Sequence, residues 1–409
     1  MLPPPGALAP AALYVHIPFC VSLCPYCDFV VYSGAAARGS RNRVEAFLGA
    51  LLVEIDLRAR GTVATGAPRR PLDSVYIGGG TPSLLSADAV AVVLKRVDVG
   101  WGLAPGAEIT LEVNPGPDEL GDLTGFRAAG INRLSIGAQS LDPAELRALG
   151  RRHRGEDVLD ALAAARVAGF DRVSVDLLYD IPGQTLASLR STLRPILDAG
   201  VGHVSAYALT LDDPDGEGLT GPEGDHLPVR PGARAWRMRA RAAQDEDRAA
   251  ELYELADDML RAEGLTWYEI SSWTRPGEES RHNLAYWRRM PYEAVGPGAH
   301  AFDGARTRRW NSARLDRYIG ALVPRPGGVP RLPPGGLEVL PPDGRAAEQA
   351  MLGLRLARGI EEDLATDAAV EPALHWGQER GLVERLTGGR TSLTRRGRLL
   401  SNELFARLG

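Results

Sequence analysis

The chain has 409 residues, 44% of them apolar and 24% charged, with a formal net charge of −5. That balance belongs to a globular protein of one large domain or two to three smaller ones. It excludes bulk attraction to nucleic acid, and no apolar run approaches the ~18 residues of a membrane span.

The N-terminal stretch MLPPPGALAPAALYV has neither a basic start nor a clean apolar core, so no secretory signal is expected there. A first strand, Leu13–His16, runs into HIPFCVSLCPYCDF, which holds every cysteine of the chain: Cys20, Cys24 and Cys27. A disulfide would strand one of them and imply an oxidising compartment, whereas this usage fits a reducing cytoplasm. The C-x3-C-x2-C spacing points to a metal site. Three thiolates leave one iron of a four-iron cluster open to a small molecule and to redox chemistry. The adopted reading is a [4Fe–4S] cluster whose fourth iron takes S-adenosylmethionine. Zinc held by three Cys and His16 stays open as the rival, although structural zinc sites usually pair two short knuckles and only one is present. His16 is otherwise expected to orient the cysteine loop.

Beyond the cysteines, short β-branched runs alternate with amphipathic segments. Strands are predicted at Ser74–Ile77, Glu108–Val113, Arg133–Gly137, Arg172–Leu178 and His203–Leu209. Helices are predicted at Val44–Leu57, Ser86–Arg96, Asp142–Leu149, Glu156–Ala168 and Thr185–Ala199. Most strands end in an unusual loop: the cysteines, then Gly78-Gly79-Gly80-Thr81-Pro82, then Glu112-Val113-Asn114-Pro115, then Gln139-Ser140, with Asp176 on the fifth. Parallel α/β folds place ligands at the carboxyl ends of their strands. One site ringed by strand ends therefore favours an α/β fold with a partial (β/α)6 barrel over a doubly wound sheet. The glycines of the second loop are expected to let the backbone come close to a ligand.

Leu211–Gly232 reads as a long loop and Ala233–Glu263 as helix. Val323–Gly344 reads as a Pro/Gly-dense linker. Helix Arg345–Leu356, a hairpin of Leu382–Leu386 and Thr391–Thr394 around Gly388-Gly389, and a last helix at about Arg395–Leu408 suggest a smaller C-terminal α+β, winged-helix-like domain. Its basic residues Arg395, Arg396 and Arg398 make too weak a stripe for DNA. The division is then 1–232 barrel, 233–322 capping segment, 323–344 linker and 345–409 C-terminal domain.

The segments YVHIPFCVSLCPYCDF, YIGGGTPS, LEVNPG, RLSIGAQS, LGRRH, DLLYDIPGQT and VSAYALT stand in the order of the radical SAM superfamily. They resemble its branch related to the oxygen-independent coproporphyrinogen III oxidases. HNLAYW at 282–287 and VGPGAHAF at 295–302 resemble the heme chaperones of that branch. By that resemblance, Tyr14, Tyr26, Gly79, Gly80, Thr81, Glu112, Gln139, Arg151 and Asp176 fall at positions that contact S-adenosylmethionine. Glu112 would accept from its ammonium, and Asp176 or Gln139 would bond ribose hydroxyls.

The dehydrogenases of the branch carry a fourth cysteine in C-x3-C-x2-C-x-C. Here that position is Phe29, which weakens the decarboxylase reading; the enzymatic alternative is a radical SAM enzyme generating a 5′-deoxyadenosyl radical, either a related methyltransferase or an oxygen-independent coproporphyrinogen III dehydrogenase. A zinc-stabilised interaction protein is a third possibility. The chaperone reading implies heme as a third cofactor, with His282 as its candidate iron ligand. Tyr286 and Trp287 would lie on the porphyrin face, and Arg281, Arg288 and Arg289 would meet its propionates. Against it stands a buried loop in which His282 and Asn283 cap backbone groups. His300 is a second candidate ligand, expected to be structural. The implied partners are a flavodoxin- or ferredoxin-like electron donor and hemoprotein acceptors in the cytoplasm, with a homodimer possible.

Overall fold

The computed structural model describes residues 8–36, 43–64, 70–323, 327–342 and 344–408. Six strands, Ala12–Ile17, Leu72–Gly79, Leu103–Val113, Arg133–Gln139, Val173–Tyr179 and His203–Ala208, pair in parallel, each with the next in the chain. A doubly wound sheet would reverse direction at a switch point. This order has no reversal among the six, so it is the partial-barrel solution.

The predicted strands lie within a residue or two of the observed ones, except that the third begins five residues earlier, at Leu103. The first strand is flanked on both sides, by Leu72–Gly79 and, also in parallel, by Tyr292–Val295. It is accordingly buried almost throughout, with Leu13 and Val15 fully buried. The helices cover the strands with Phe47, Leu51, Ile55, Val93, Val97, Leu162 and Leu193, which join strand residues Val15, Ile77, Leu111, Ile136 and Val175 in one core. Ser86 caps Ala87–Trp101 by accepting from the Ala89 N–H, and Thr185 with Ser188 forms a capping box on Leu186–Asp198.

Antiparallel wings extend the sheet to twelve strands. Ser272–Thr274 and Thr266–Glu269 follow the sixth strand; His300–Phe302, Thr307–Asn311 and Gly335–Val339 extend the other edge. The last of these corrects the linker reading. Part of the Pro/Gly stretch pairs with Thr307–Asn311, and its glycines are needed there: a Cβ on Gly335 would stand 1.9 Å from the Trp310 carbonyl oxygen, and one on Gly336 would stand 2.2 Å from the Trp310 ring. Residues 324–326 and 343 of the expected linker, and 1–7 of the N-terminal stretch, lie outside the described residues.

Other differences are local. The expected long helix is two, Pro231–Ala242 and Glu246–Ala262, because Asp245 caps the second by accepting from the Arg248 N–H. Leu123–Ala129 is an additional short helix, and the final helix breaks at Leu400 into Arg395–Leu399 and Ser401–Phe405. No helix among the described residues is long and apolar enough to cross a membrane.

The C-terminal helices and the hairpin Val383–Arg385/Thr391–Leu393 bury a core of their own, including Leu354, Val370, Leu374, Leu393 and Leu404. One buried carboxylate ties this unit to the rest. Asp257 accepts from Trp273 Nε1 at 2.7 Å and from both terminal nitrogens of Arg398 at 3.1 and 3.0 Å. The Arg398 guanidinium also lies 4.6 Å from the Trp267 ring centroid. Removing one partner of such a pair leaves the other charge buried and uncompensated. Asp257→Ala is therefore expected to lower the unfolding free energy, measured in urea, by about 3–5 kcal/mol. A loss below ~1 kcal/mol would show that the pair is solvated in solution.

Candidate functional site

The carboxyl ends of the parallel strands open into a cavity of about 400 Å³. Cys20, Cys24 and Cys27, all partly exposed, form one wall on the loop that leaves the first strand. Tyr26, Gly79, Gly80, Glu112, Gln139, Arg151 and Asp176 also line the cavity. Residues far apart in sequence thus meet because they sit near the carboxyl ends of adjacent strands or in the connections that follow them.

Tyr14, Thr81 and His282 are not among the lining residues. Tyr14 stacks on Tyr76 with centroids 6.2 Å apart and bonds His16 Nδ1 at 3.0 Å. His16 uses its other nitrogen on the Val30 carbonyl at 2.9 Å, so it pins the far end of the cysteine loop. With both ring nitrogens engaged, it supplies no fourth ligand to a zinc ion. Thr81 Oγ1 accepts from Asn114 Nδ2 at 2.8 Å and shares a hydrogen bond with Cys20 Sγ at 3.2 Å.

The glycine loop serves the protein as well as the cavity. A Cβ on Gly80 would stand 2.5 Å from the Phe19 carbonyl oxygen. A Cβ on Gly79, whose φ is +115°, would stand 2.5 Å from the His16 ring. The space left by the missing side chains is filled by the cysteine loop and its histidine.

Two residues that sequence reasoning did not single out hold the site together. Asn114 Oδ1 accepts from Arg151 Nη2 at 2.7 Å, and Arg151 Nη1 lies 3.9 Å from Cys24 Sγ. A polar chain thus runs from Cys20 through Thr81, Asn114 and Arg151 to Cys24. Arg237 is buried and donates to the carbonyls of Pro25 (3.0 Å), Tyr26 (3.3 Å) and Cys27 (3.0 Å), and to the Asp28 carboxylate. Asn114 was visible in its motif beside Glu112. Arg237 stands on a helix about 210 residues from the loop it holds, with no local signal.

The cavity is built for charge. Burial pushes the Glu112 carboxyl up to about 7, with Asp176 acting in the same direction; hydrogen bonds from the Gly79 N–H and the Tyr76 hydroxyl, both 2.9 Å, hold it lower than burial alone would. Burial likewise raises Asp176, which accepts from Ser135 Oγ at 2.8 Å. Burial pushes the Cys20 thiol up to about 12 and raises Cys27 and Tyr26. A metal taking these sulfurs must displace their protons. Buried Arg151 Nε has no hydrogen-bond partner among the described residues. Three sulfurs, two buried carboxyls and one free guanidinium donor suit an iron–sulfur cluster beside a ligand bearing ammonium, carboxylate and hydroxyl groups.

Residues 14–196 match the family model of the radical SAM superfamily. Over 312 residues the chain is 40% identical to the heme chaperone HemW of Mycobacterium tuberculosis, covering 76% of this chain and 73% of that one. The chain belongs to the HemW family of radical SAM proteins. It is also 35% identical to HemW of Escherichia coli K12, over 72% of this chain and 70% of that protein. The structure of coproporphyrinogen III oxidase (HemN) from Escherichia coli superposes with a TM-score of 0.75 at 22% identity, covering 98% of this chain and 90% of that one, which shows a shared fold. The superfamily's cofactors, a [4Fe–4S] cluster and S-adenosylmethionine, are those the cavity suits.

The HemW-type segment HNLAYW forms a helix, Arg281–Trp287. Ser280 caps it by accepting from the Asn283 N–H, and buried Glu108 accepts from the N–H groups of Arg281 and His282 at 3.1 and 3.0 Å. His282 is 1% exposed, bonded to Ser74 Oγ at 3.0 Å and to the Tyr286 hydroxyl at 2.8 Å. Burial, with Arg133 nearby, pushes it down to about 3, so it is neutral and fully engaged. His282→Ala would leave both hydroxyls unpaired and open a cavity. Without any heme present, its unfolding free energy is expected to fall by about 2–4 kcal/mol; an unchanged value would remove the structural role.

Proposed function

We propose that this chain is a heme chaperone that binds heme, carries the cluster on Cys20, Cys24 and Cys27 with S-adenosylmethionine beside it, and passes heme to hemoproteins. The observation that carries the reading is the 40% identity to a heme chaperone across most of both chains. Phe29, 63% exposed at the cavity wall, agrees with it, because the dehydrogenase pattern requires a cysteine at that position.

When bound, the cluster and S-adenosylmethionine supply one-electron chemistry at a carbon–sulfur bond. The chain's own residues have separate tasks. The Gly79 N–H and the Tyr76 hydroxyl hold the Glu112 carboxylate where it can accept from an ammonium. Arg151, braced by Asn114 and by the Gly137 carbonyl at 2.7 Å, offers its free Nε–H to a carboxylate. Asp176, braced by Ser135, accepts from ribose hydroxyls. Arg237 keeps the three sulfurs at one wall. Partly exposed thiols of this kind persist in a reducing cytoplasm, where flavodoxin- or ferredoxin-like donors operate.

Two measurements test this reading. Hemin titration of the anaerobically reconstituted protein should give saturable, stoichiometric binding, and transfer of that heme to an apo-hemoprotein should follow. Absence of binding above a nonspecific control, together with 5′-deoxyadenosine or S-adenosylhomocysteine release in turnover, would move the assignment to a radical SAM dehydrogenase or methyltransferase.

The second concerns Glu112. Below about pH 7 it holds a proton and loses the negative charge that draws an ammonium to it. Affinity for S-adenosylmethionine should therefore weaken by up to about tenfold per unit as pH falls below 7 and level off above it. Glu112→Gln should weaken binding at pH 7.5 and flatten the profile; a sloped profile in that variant would exclude Glu112 as the titrating acceptor.

A further inference from the structure

The chain has seven histidines, and all lie among the described residues. His16, His203 and His282 are buried and bonded through both ring nitrogens. His153 is buried with its Nε2 on the Ala138 carbonyl at 3.0 Å. His375 is exposed on a helix of the C-terminal unit, 3.7 Å from Glu379. The remaining two form a different arrangement.

Asp225 lies between His226 and His300. One carboxylate oxygen is 2.9 Å from His226 Nδ1 and the other is 2.8 Å from His300 Nε2. The carboxylate is only 10% exposed, while the rings are 29% and 45% exposed. Each ring therefore spends one nitrogen on the carboxylate. His226 Nε2 and His300 Nδ1 have no hydrogen-bond partner among the described residues. A carboxylate behind an imidazole fixes its tautomer and raises its strength as a metal ligand.

The surroundings hold the arrangement still. Trp310 stacks on the His300 ring with centroids 5.8 Å apart and planes 22° apart, and the two residues pair across adjacent strands. Asp225 and His226 belong to the long loop after the sixth strand. That loop is fastened by Trp310 Nε1 donating to the Glu223 carbonyl at 3.1 Å and the Ala313 N–H donating to the Gly224 carbonyl at 2.8 Å. The cluster flanks the cysteine loop: a Cβ on Gly298 would stand 2.5 Å from Val30 and 3.0 Å from the Asp225 carbonyl oxygen.

We infer that the imidazole ligand for heme iron comes from the His226–Asp225–His300 cluster, with Asp225 as its positioning residue, and not from His282. The inference rests on the proposed heme-binding function. It asks only for groups already exposed, whereas His282 would have to break two buried hydrogen bonds before reaching an iron.

The test is hemin titration of full-length reconstituted protein, followed by absorbance and by low-temperature electron paramagnetic resonance. The variants are His226→Ala, His300→Ala, their double variant, Asp225→Ala and His375→Ala. Wild type and His375→Ala should show the low-spin spectrum of an imidazole-ligated ferric heme. The double variant should lose that spectrum, and added imidazole should restore it. Asp225→Ala should weaken binding by about 10–100-fold. Cluster content and circular dichroism identical to wild type would show that the variants fold. Wild-type binding with an unchanged spectrum and affinity in the double variant would overturn this assignment alone. No hemin binding by wild type would overturn the chaperone reading and this one with it.

Discussion

The site depends on one close approach, that of the glycine loop to the loop carrying the cysteines. The Gly80 N–H donates to the Ile17 carbonyl at 2.9 Å and the Thr81 N–H to the Phe19 carbonyl at 2.7 Å, so the second strand continues to bind the chain past the end of the first. The parallel pairing of those strands runs through His16↔Gly78 and Ile17↔Gly79, which puts the His16 ring over a residue with no side chain. A long loop with three thiols would otherwise sample many shapes at an entropic cost. Here its two ends are tied by the strand and by His16, and its middle by Arg237.

The second constraint is electrostatic. Carboxyls, guanidinium groups and three thiols share one cavity. Burying them costs free energy unless each finds a partner. Part of that cost is met inside the protein by Tyr76, Ser135, Asn114 and backbone groups. The rest is visible as raised carboxyl and thiol pKa values and as the lone Arg151 Nε–H. Cavities that hold functional ligands often carry such unfinished polar groups. The helix of the HNLAYW segment shows the opposite balance. Glu108, Ser280, Ser74 and Tyr286 satisfy its N-terminal N–H groups and the His282 ring, and it reads as a strut between the sheet and the C-terminal unit.

What was legible in the sequence had short range. Strand positions followed from β-branched runs, and the cysteine spacing, the glycine run and Glu112 lie in contiguous motifs. What was not legible depended on partners far along the chain. Arg237 looks like any surface arginine of a basic helix until it is seen beneath Pro25, Tyr26 and Cys27. His282 carries the chemistry of a ligand in sequence, and only its neighbours Ser74 and Tyr286 show that its nitrogens are spent. Gly335 and Gly336 read as linker because the strand they join, Thr307–Asn311, is not adjacent to them in the chain.

By itself the sequence determined the element order, the parallel α/β class, and which residue types stand at the strand ends, because these follow from local periodicity and from loops of a few residues. The tertiary structure decided which of those residues share a cavity, which glycines make room for protein, and which histidines keep a free nitrogen. Those outcomes are set by contacts between distant segments, where a hydrogen bond of about 3 Å uses up a group that composition and spacing leave undecided.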